Sequence, residues 1–233
     1  MKLSYDLHIH SCLSPCGNED MTPNNIVNMA FIKGLDIISI TDHNACNHVR
    51  TASELAEALG ILLIPGMEVQ TREEVHILCY FPTVEAIESF DEQLKPFKSK
   101  IPNRVDVFGP QTIRDINDDF VGEYGDALIM SVDISLEDLK TLVESYGGVI
   151  VPAHVNKSAN SILVNLGFIP ADLNIKCVEI HEKSPINEMF IRNYQRMYNS
   201  DAHYLENLSE PVHFIELAEK TRSALIDYLT GKG

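Results

Sequence analysis

Positive charge is scarce in this chain. Eighteen Lys and Arg stand against 34 Asp and Glu, a net charge of −16 at pH 7. Such a surface repels polyanions at long range and excludes broad, nonspecific nucleic-acid binding. A metal-lined pocket still admits one phosphate or a nucleotide end, because bound cations dominate the local field. Long apolar runs are missing too. No stretch reaches the roughly 18 residues of a membrane-spanning helix. The opening MKLSYDLHIH has no apolar signal core, so a cytoplasmic location and no membrane partner are expected. The five cysteines, Cys12, Cys16, Cys46, Cys79 and Cys177, are odd in number and scattered. They read as reduced thiols rather than a disulfide framework. Cys12 and Cys16 stand four positions apart, but no second pair completes a structural zinc site. Gly17, Gly34, Gly60 and Gly66 follow no phosphate-loop pattern and read as turns and helix stops. Internal repeats, low-complexity tracts and linkers are likewise absent.

What is there is enough apolar sequence for a core: 45% of 233 residues. That length suits one α/β barrel as well as two small domains. Apolar, β-branched runs at 3–9, 35–41, 61–65, 75–81, 149–153, 175–181 and 212–217 read as strands. Thr22-Pro23 looks like a helix start and Gly34 its stop. Further helices are expected at 49–59, 83–98, from Ser135 to Gly147, at 185–196 and at 221–229, with Ser135-Leu-Glu-Asp138 resembling a capping box. Strands separated by helices imply βαβ units and a mostly parallel sheet. Residues 99–134 break this rhythm. Their Asn117-Asp118-Asp119 centre favours a turn, so the segment reads as an inserted hairpin or lid in a single domain spanning 1–233.

Metal-capable side chains sit at the ends of these strands. His8 and His10 are two apart, as are Asp201 and His203, which on a strand puts both members on one face about 6.6 Å apart. Between the pairs lie Asp42-His43, Glu68, His76 and His154. Imidazole suits zinc, iron or manganese, and carboxylates add charge and bridge ions. The pattern is that of a multinuclear site at the C-terminal ends of barrel strands.

Five of these motifs, in order, carry a family resemblance: Tyr5-Asp-Leu-His-Ile-His10, Thr41-Asp42-His43, Gly66-Met67-Glu68, Pro152-Ala153-His154 and Ser200-Asp201-Ala202-His203. Together they resemble the PHP (polymerase and histidinol phosphatase) phosphoesterases over nearly the whole chain. The resemblance implies a distorted (β/α)7 TIM-like barrel and two or three divalent ions (zinc, manganese or iron, with magnesium also admitted). It implies hydrolysis of a small phosphomonoester, nucleotide or oligonucleotide end through a metal-activated hydroxide. Carried over by residue, His8, His10, Glu68 and Asp201 hold a first metal. Glu68 bridges to a second held by His76 and His154. His43 and His203 hold a third, with one ligand from the loop after His10. Relatives place an Asp or His about five residues beyond the pair, where this chain has Pro15. Asp20 is the substitute expected here, with Glu19 or Cys16 as alternatives. Glu68, Asp201 and His203 are the residues expected at the chemistry.

Asp42 reads either as orienting a ligating imidazole or as capping its loop. Lys157, Lys183 and His181 follow strand ends where a cation or polar group would face a phosphate. His48 and His213 read as surface or packing residues. Histidinol phosphatase is one alternative, and a non-catalytic metal-binding regulatory module another. An amidohydrolase-like enzyme also opens on a His-x-His strand, but it would want a carboxylated lysine or histidine where this chain offers Glu68.

Overall fold

Strand β1 (Lys2–Ile9) is buried from Leu3 onward, and its two faces differ in kind. Leu3, Tyr5 and Leu7 enter an apolar cluster with Tyr80, Val151, Cys177 and Ile215. Ser4, Asp6 and His8 point the other way and are just as buried. A buried polar face must find partners for every atom, and those partners organise the rest of the chain.

The computed structural model describes residues 1–232 and has an α/β architecture. Helix α1 (Pro23–Lys33) starts and stops as its sequence requires. Thr22 accepts from Asn25 N, proline occupies the first turn, and Gly34 ends the helix at φ 76°. The chain returns as β2 (Ile37–Ile40), parallel to β1. Helix α2 (Val49–Ala58) packs on α1 and leads to β3 (Leu62–Leu63), parallel to β2.

From here the parallel rhythm stops. Strands β4 (Gly66–Gln70) and β5 (His76–Tyr80) form a hairpin, and β5 also pairs antiparallel with β8 (Val149–Pro152) further on. A loop of five residues cannot make the crossover that a parallel neighbour needs. The expectation of a mostly parallel sheet is therefore corrected for this half of the fold. Between β5 and β8 run α3 (Val84–Leu94), α4 (Val105–Phe108), the hairpin β6 (Thr112–Arg114) with β7 (Phe120–Glu123), and α5 (Leu136–Ser145). Ser135 caps α5 by accepting from Asp138 N at 3.1 Å. The β6–β7 turn carries Asp118 in the left-handed region at φ 65°.

The last third is shorter in its elements than its apolar runs suggest. It contains α6 (Ile162–Asn165), β9 (Cys177–Glu179), α7 (Glu188–Ile191), β10 (Gln195–Met197), β11 (Phe214–Glu216) and α8 (Arg222–Leu229). The helix expected over 185–196 is one turn long. Gln195–Met197 pairs instead with β9 in parallel, because extended backbone there satisfies Lys176 O and the β9 edge. β11 pairs antiparallel with β1.

The ladders are separate, but single bonds link their neighbours. Val155 N donates to Glu179 O at 2.9 Å and His10 N to Ala202 O at 3.0 Å. Bridges at Ile9–Ala202 and His43–Glu68 lie beside the polar ends of the strands. No helix among the described residues is long and apolar enough to cross a membrane.

Candidate metal centre

His8, His10, His43, Glu68, His76 and His154 are at most 7% exposed, and Asp201 lies at the mouth beside them. Glu68 is the hub. Its Oε1 stands 3.0 Å from His76 Nδ1, 3.3 Å from His154 Nε2 and 3.4 Å from His8 Nε2. Its Oε2 stands 3.1 Å from His43 Nδ1 and 3.3 Å from His10 Nε2. Yet Oε1 and His43 Nδ1, both buried, make no hydrogen bond. Donor atoms crowd one another there with their lone pairs turned to a common space. Burying such atoms unpaired costs about 1–3 kcal/mol each, and divalent cations among them remove that cost. The donor set fits the ions that the sequence implies.

Tautomers support the same reading. His8 Nδ1 lies 3.0 Å from both oxygens of Glu179, and His203 Nδ1 lies 2.7 Å from the carbonyl oxygen of Asp201. These oxygens only accept, so both rings carry their proton on Nδ1 and leave Nε2 free. His10 Nδ1 donates to Ser14 Oγ at 3.1 Å, while Ser14 Oγ donates to Asp42 Oδ1 at 2.7 Å. Asp42 also accepts from Ser11 N and Ser11 Oγ. It thus orients the His10 imidazole, through Ser14, and fixes the loop as well. His48 is buried and packs behind this loop, with Nδ1 on Ser11 Oγ and Nε2 accepting from Arg114 N.

Charge in the metal-free centre is balanced by protons. Burial alone would lower the His8 imidazole, but Glu179, Asp201 and Glu68 outweigh it and hold it well above the usual value. The same balance, with Asp201 and Glu68 opposing burial, pushes His10 up to about 9. Burial drives His43 well below the ordinary value, and burial with the charge of His10 takes His203 to about 4. Burial would raise Glu68, yet His76, His8 and His43 pull its carboxyl well below the usual carboxylate range.

Four groups of side chains bring their donor atoms within 4.8 Å of one another: His8, His10 and Asp201; His10, His43 and Glu68; Glu68, His76 and His154; and His10, Cys16 and His203. His43 therefore falls with Glu68, whereas the resemblance placed it with His203. Asp20 is in none of these groups among the described residues. It is exposed, with its backbone N on Asn18 Oδ1. Two candidate ligands hold strained backbone, His154 at φ 25° and Asp201 at φ 52°, and such strain clusters at functional sites. Lys157 Nζ contacts Asp201 Oδ2 directly. His181 and Lys183 line an adjoining cavity with Asn199, Ser200 and Ser209.

Sequence reasoning missed Glu179. This carboxylate is 2% exposed and joins three parts of the site: His8 Nδ1, His154 N at 2.7 Å and Asn199 Nδ2 at 2.7 Å. The available signal was a single acidic residue inside the apolar run 175–180, where a charge is tolerated only if paired.

Buried imidazoles and carboxylates converging at the strand ends of an α/β fold form a cluster that could hold metal ions. The chain belongs to the PHP domain family, whose profile matches residues 6–228. It is 30% identical over 198 residues to an uncharacterised protein of Methanocaldococcus jannaschii, covering 85% of this chain and 21% of that one. It is 32% identical over 81 residues to a 5'-3' exoribonuclease of Haemophilus influenzae, covering 34% of this chain and 28% of the relative. The chain thus spans less than a third of the length of these two relatives. Among solved structures, it resembles the lesion-specific endonuclease Q of Pyrococcus furiosus with a TM-score of 0.70 at 20% identity, over 100% of this chain and 57% of that one. It also resembles a two-domain Bacteroides vulgatus protein containing a predicted PHP-like metal-dependent phosphoesterase, with a TM-score of 0.63 at 18% identity, over 100% and 63%.

Proposed function

We propose that this chain is a metal-dependent phosphoesterase acting on a nucleotide or the end of a nucleic-acid strand. The observation that carries the proposal is the convergence of five imidazoles on the two oxygens of Glu68, one of which has no hydrogen-bond partner. His8, His10, Glu68 and Asp201 would hold one ion, and Glu68, His76 and His154 another. Divalent ions held there supply Lewis acidity to a phosphoryl group and to the water that attacks it.

The chain's own residues do the rest. Glu179 and Ser14 fix the tautomers that present Nε2 of His8 and His10. Glu68 and Asp201 contribute the negative charge that concentrates cations. Lys157, paired with Asp201, puts a positive charge at the mouth where phosphoryl oxygens enter, and His181 and Lys183 extend that edge. The likeness to endonuclease Q, which has been seen with a duplex carrying an abasic lesion at its active site, favours a nucleic-acid phosphoester over a metabolite. The net charge of −16 argues that this chain grips only the reacting end and not a long duplex. We read the linked strands as the family's distorted (β/α)7 barrel and residues 99–134 as an insertion within one domain.

The test is a panel of phosphomonoesters, nucleotides and short single- and double-stranded oligonucleotides, assayed with manganese or zinc. Turnover lost in Glu68→Gln and in His8→Ala, with the fold retained by circular dichroism, supports the reading. A fully metal-loaded protein with no turnover on any member of the panel refutes it.

A further inference from the structure

We propose that Cys16 closes the third metal position as a thiolate, together with His203 and next to His10 of the first position, and that this third position therefore selects zinc. The inference deepens the metal-centre reading above and rests on it.

The donor atoms of His10, Cys16 and His203 lie within 4.8 Å of one another. Tetrahedral zinc, with Zn–N near 2.0–2.1 Å and Zn–S near 2.3 Å, asks for ligand atoms roughly 3.3–3.6 Å apart. Cys16 Sγ and the free Nε2 of His203 are therefore within a small side-chain adjustment of sharing one ion. His203 is prepared for it, since its Nδ1 is committed to the Asp201 carbonyl and Nε2 is free.

Cys16 is held beside His203 by the backbone. Ser14 N donates to Ser11 O and Gly17 N to Ser14 O, folding residues 11–17 into successive turns, and Asn18 N donates to His203 O at 2.9 Å. A Cβ at Gly17 would lie 2.1 Å from Ser11 O, so only glycine lets the chain turn this tightly after Cys16. From the insertion, Gly109 packs where a Cβ would lie 2.5 Å from Pro15 O, bracing the loop from outside. The same path carries Glu19 and Asp20 outward, where both are exposed.

Of the five cysteines, Cys12, Cys46, Cys79 and Cys177 are buried and Cys16 is exposed. The thiol loses its proton only as the sulfur binds the cation. Thiolate with imidazole is a soft donor set, suited to zinc and poorly suited to manganese or magnesium. The remaining groups are imidazole and carboxylate and lack that preference.

Cobalt(II) loaded into the intact protein reads the ligand directly. A near-ultraviolet sulfur-to-cobalt charge-transfer band is expected in the wild type and in Cys12→Ser, whose thiol bonds Thr112 O behind the loop. The band is expected to vanish in Cys16→Ser, with zinc affinity at this position falling at least about tenfold. Cys16→Asp is expected to recover the lost equivalent of metal without the band, which separates loss of a ligand from loss of fold. Absence of the band in cobalt-loaded wild type, or its survival in Cys16→Ser, overturns the proposal. Phosphoester turnover without the band sinks this inference alone. The band without turnover leaves it standing and sinks the phosphoesterase reading.

Discussion

Glu179 holds His8: both carboxylate oxygens stand 3.0 Å from Nδ1 of a ring with no solvent exposure. The pair fixes the tautomer and the direction of Nε2, while the same carboxylate accepts from His154 N and Asn199 Nδ2. Outer partners of this kind change metal affinity without touching the ion. Glu179→Gln is expected to weaken metal binding about 10–100-fold, measured by chelator competition. An affinity equal to wild type would show that the pair serves only folding.

The path from Asp42 through Ser14 to His10 makes a second, independent prediction. Ser14→Ala removes the acceptor for His10 Nδ1–H and a donor to Asp42 in one step. A buried donor left unpaired costs about 1–3 kcal/mol, so the metal-free protein should unfold at lower urea. Metal should recover only part of that loss, because the ring is free to turn. Full recovery on adding metal would contradict the role assigned to Ser14.

The pH dependence of the metal-free protein has two limbs. His10, held up to about 9 when folded, takes its proton more readily than in the unfolded chain, where imidazole titrates near 6.5. That stabilisation is fully present below about pH 6.5 and is lost as pH rises through about 9. His203, held down to about 4, resists a proton that the unfolded chain accepts, so stability is lost as pH falls from about 6.5 toward 4. Urea unfolding in the presence of chelator should show a maximum near pH 6.5. His203→Asn should flatten the acid limb. Stability that rises steadily from pH 6.5 to 9 would contradict the balance described for this cluster.

Away from the site, Lys98 Nζ is buried against Asp91 at 2.6 Å and reaches Tyr124 OH at 3.4 Å, which ties α3 to residues 99–134. Asp91→Asn leaves a buried cation uncompensated and should cost about 3–5 kcal/mol. The double variant Asp91→Leu, Lys98→Met should be close to neutral. Hydrogen exchange in Asp91→Asn is expected to rise first in residues 99–134, and protection unchanged there would remove the claim that this pair anchors that segment.

The candidate ligands were more legible in the sequence than the fold that gathers them. His8, His10, Glu68, His76, His154 and Asp201 were legible because metal donors at strand ends stand out against apolar runs. Thr22-Pro23 with Gly34, and Ser135, marked helix ends because caps are local chemistry. What is decided at a distance was hidden. The antiparallel course of β5 follows from the five-residue loop before it, and Gln195–Met197 is a strand because β9 offers it an edge. Glu179 looked like one acidic residue in a strand until three partners from distant segments closed around it. The loop was hidden by the same cause: the expected spacing falls on Pro15 and Asp20 stood as its substitute, whereas the tight turn at Gly17 leaves Cys16 near His203.

The central claim is a centre of at least two ions bridged by Glu68. Elemental analysis of protein purified without chelator, compared with Glu68→Gln handled identically, tests it most directly. The account predicts two or more transition-metal ions per wild-type chain and the loss of at least one in the variant. Fewer than two ions per wild-type chain, or an undiminished load in Glu68→Gln, would contradict it.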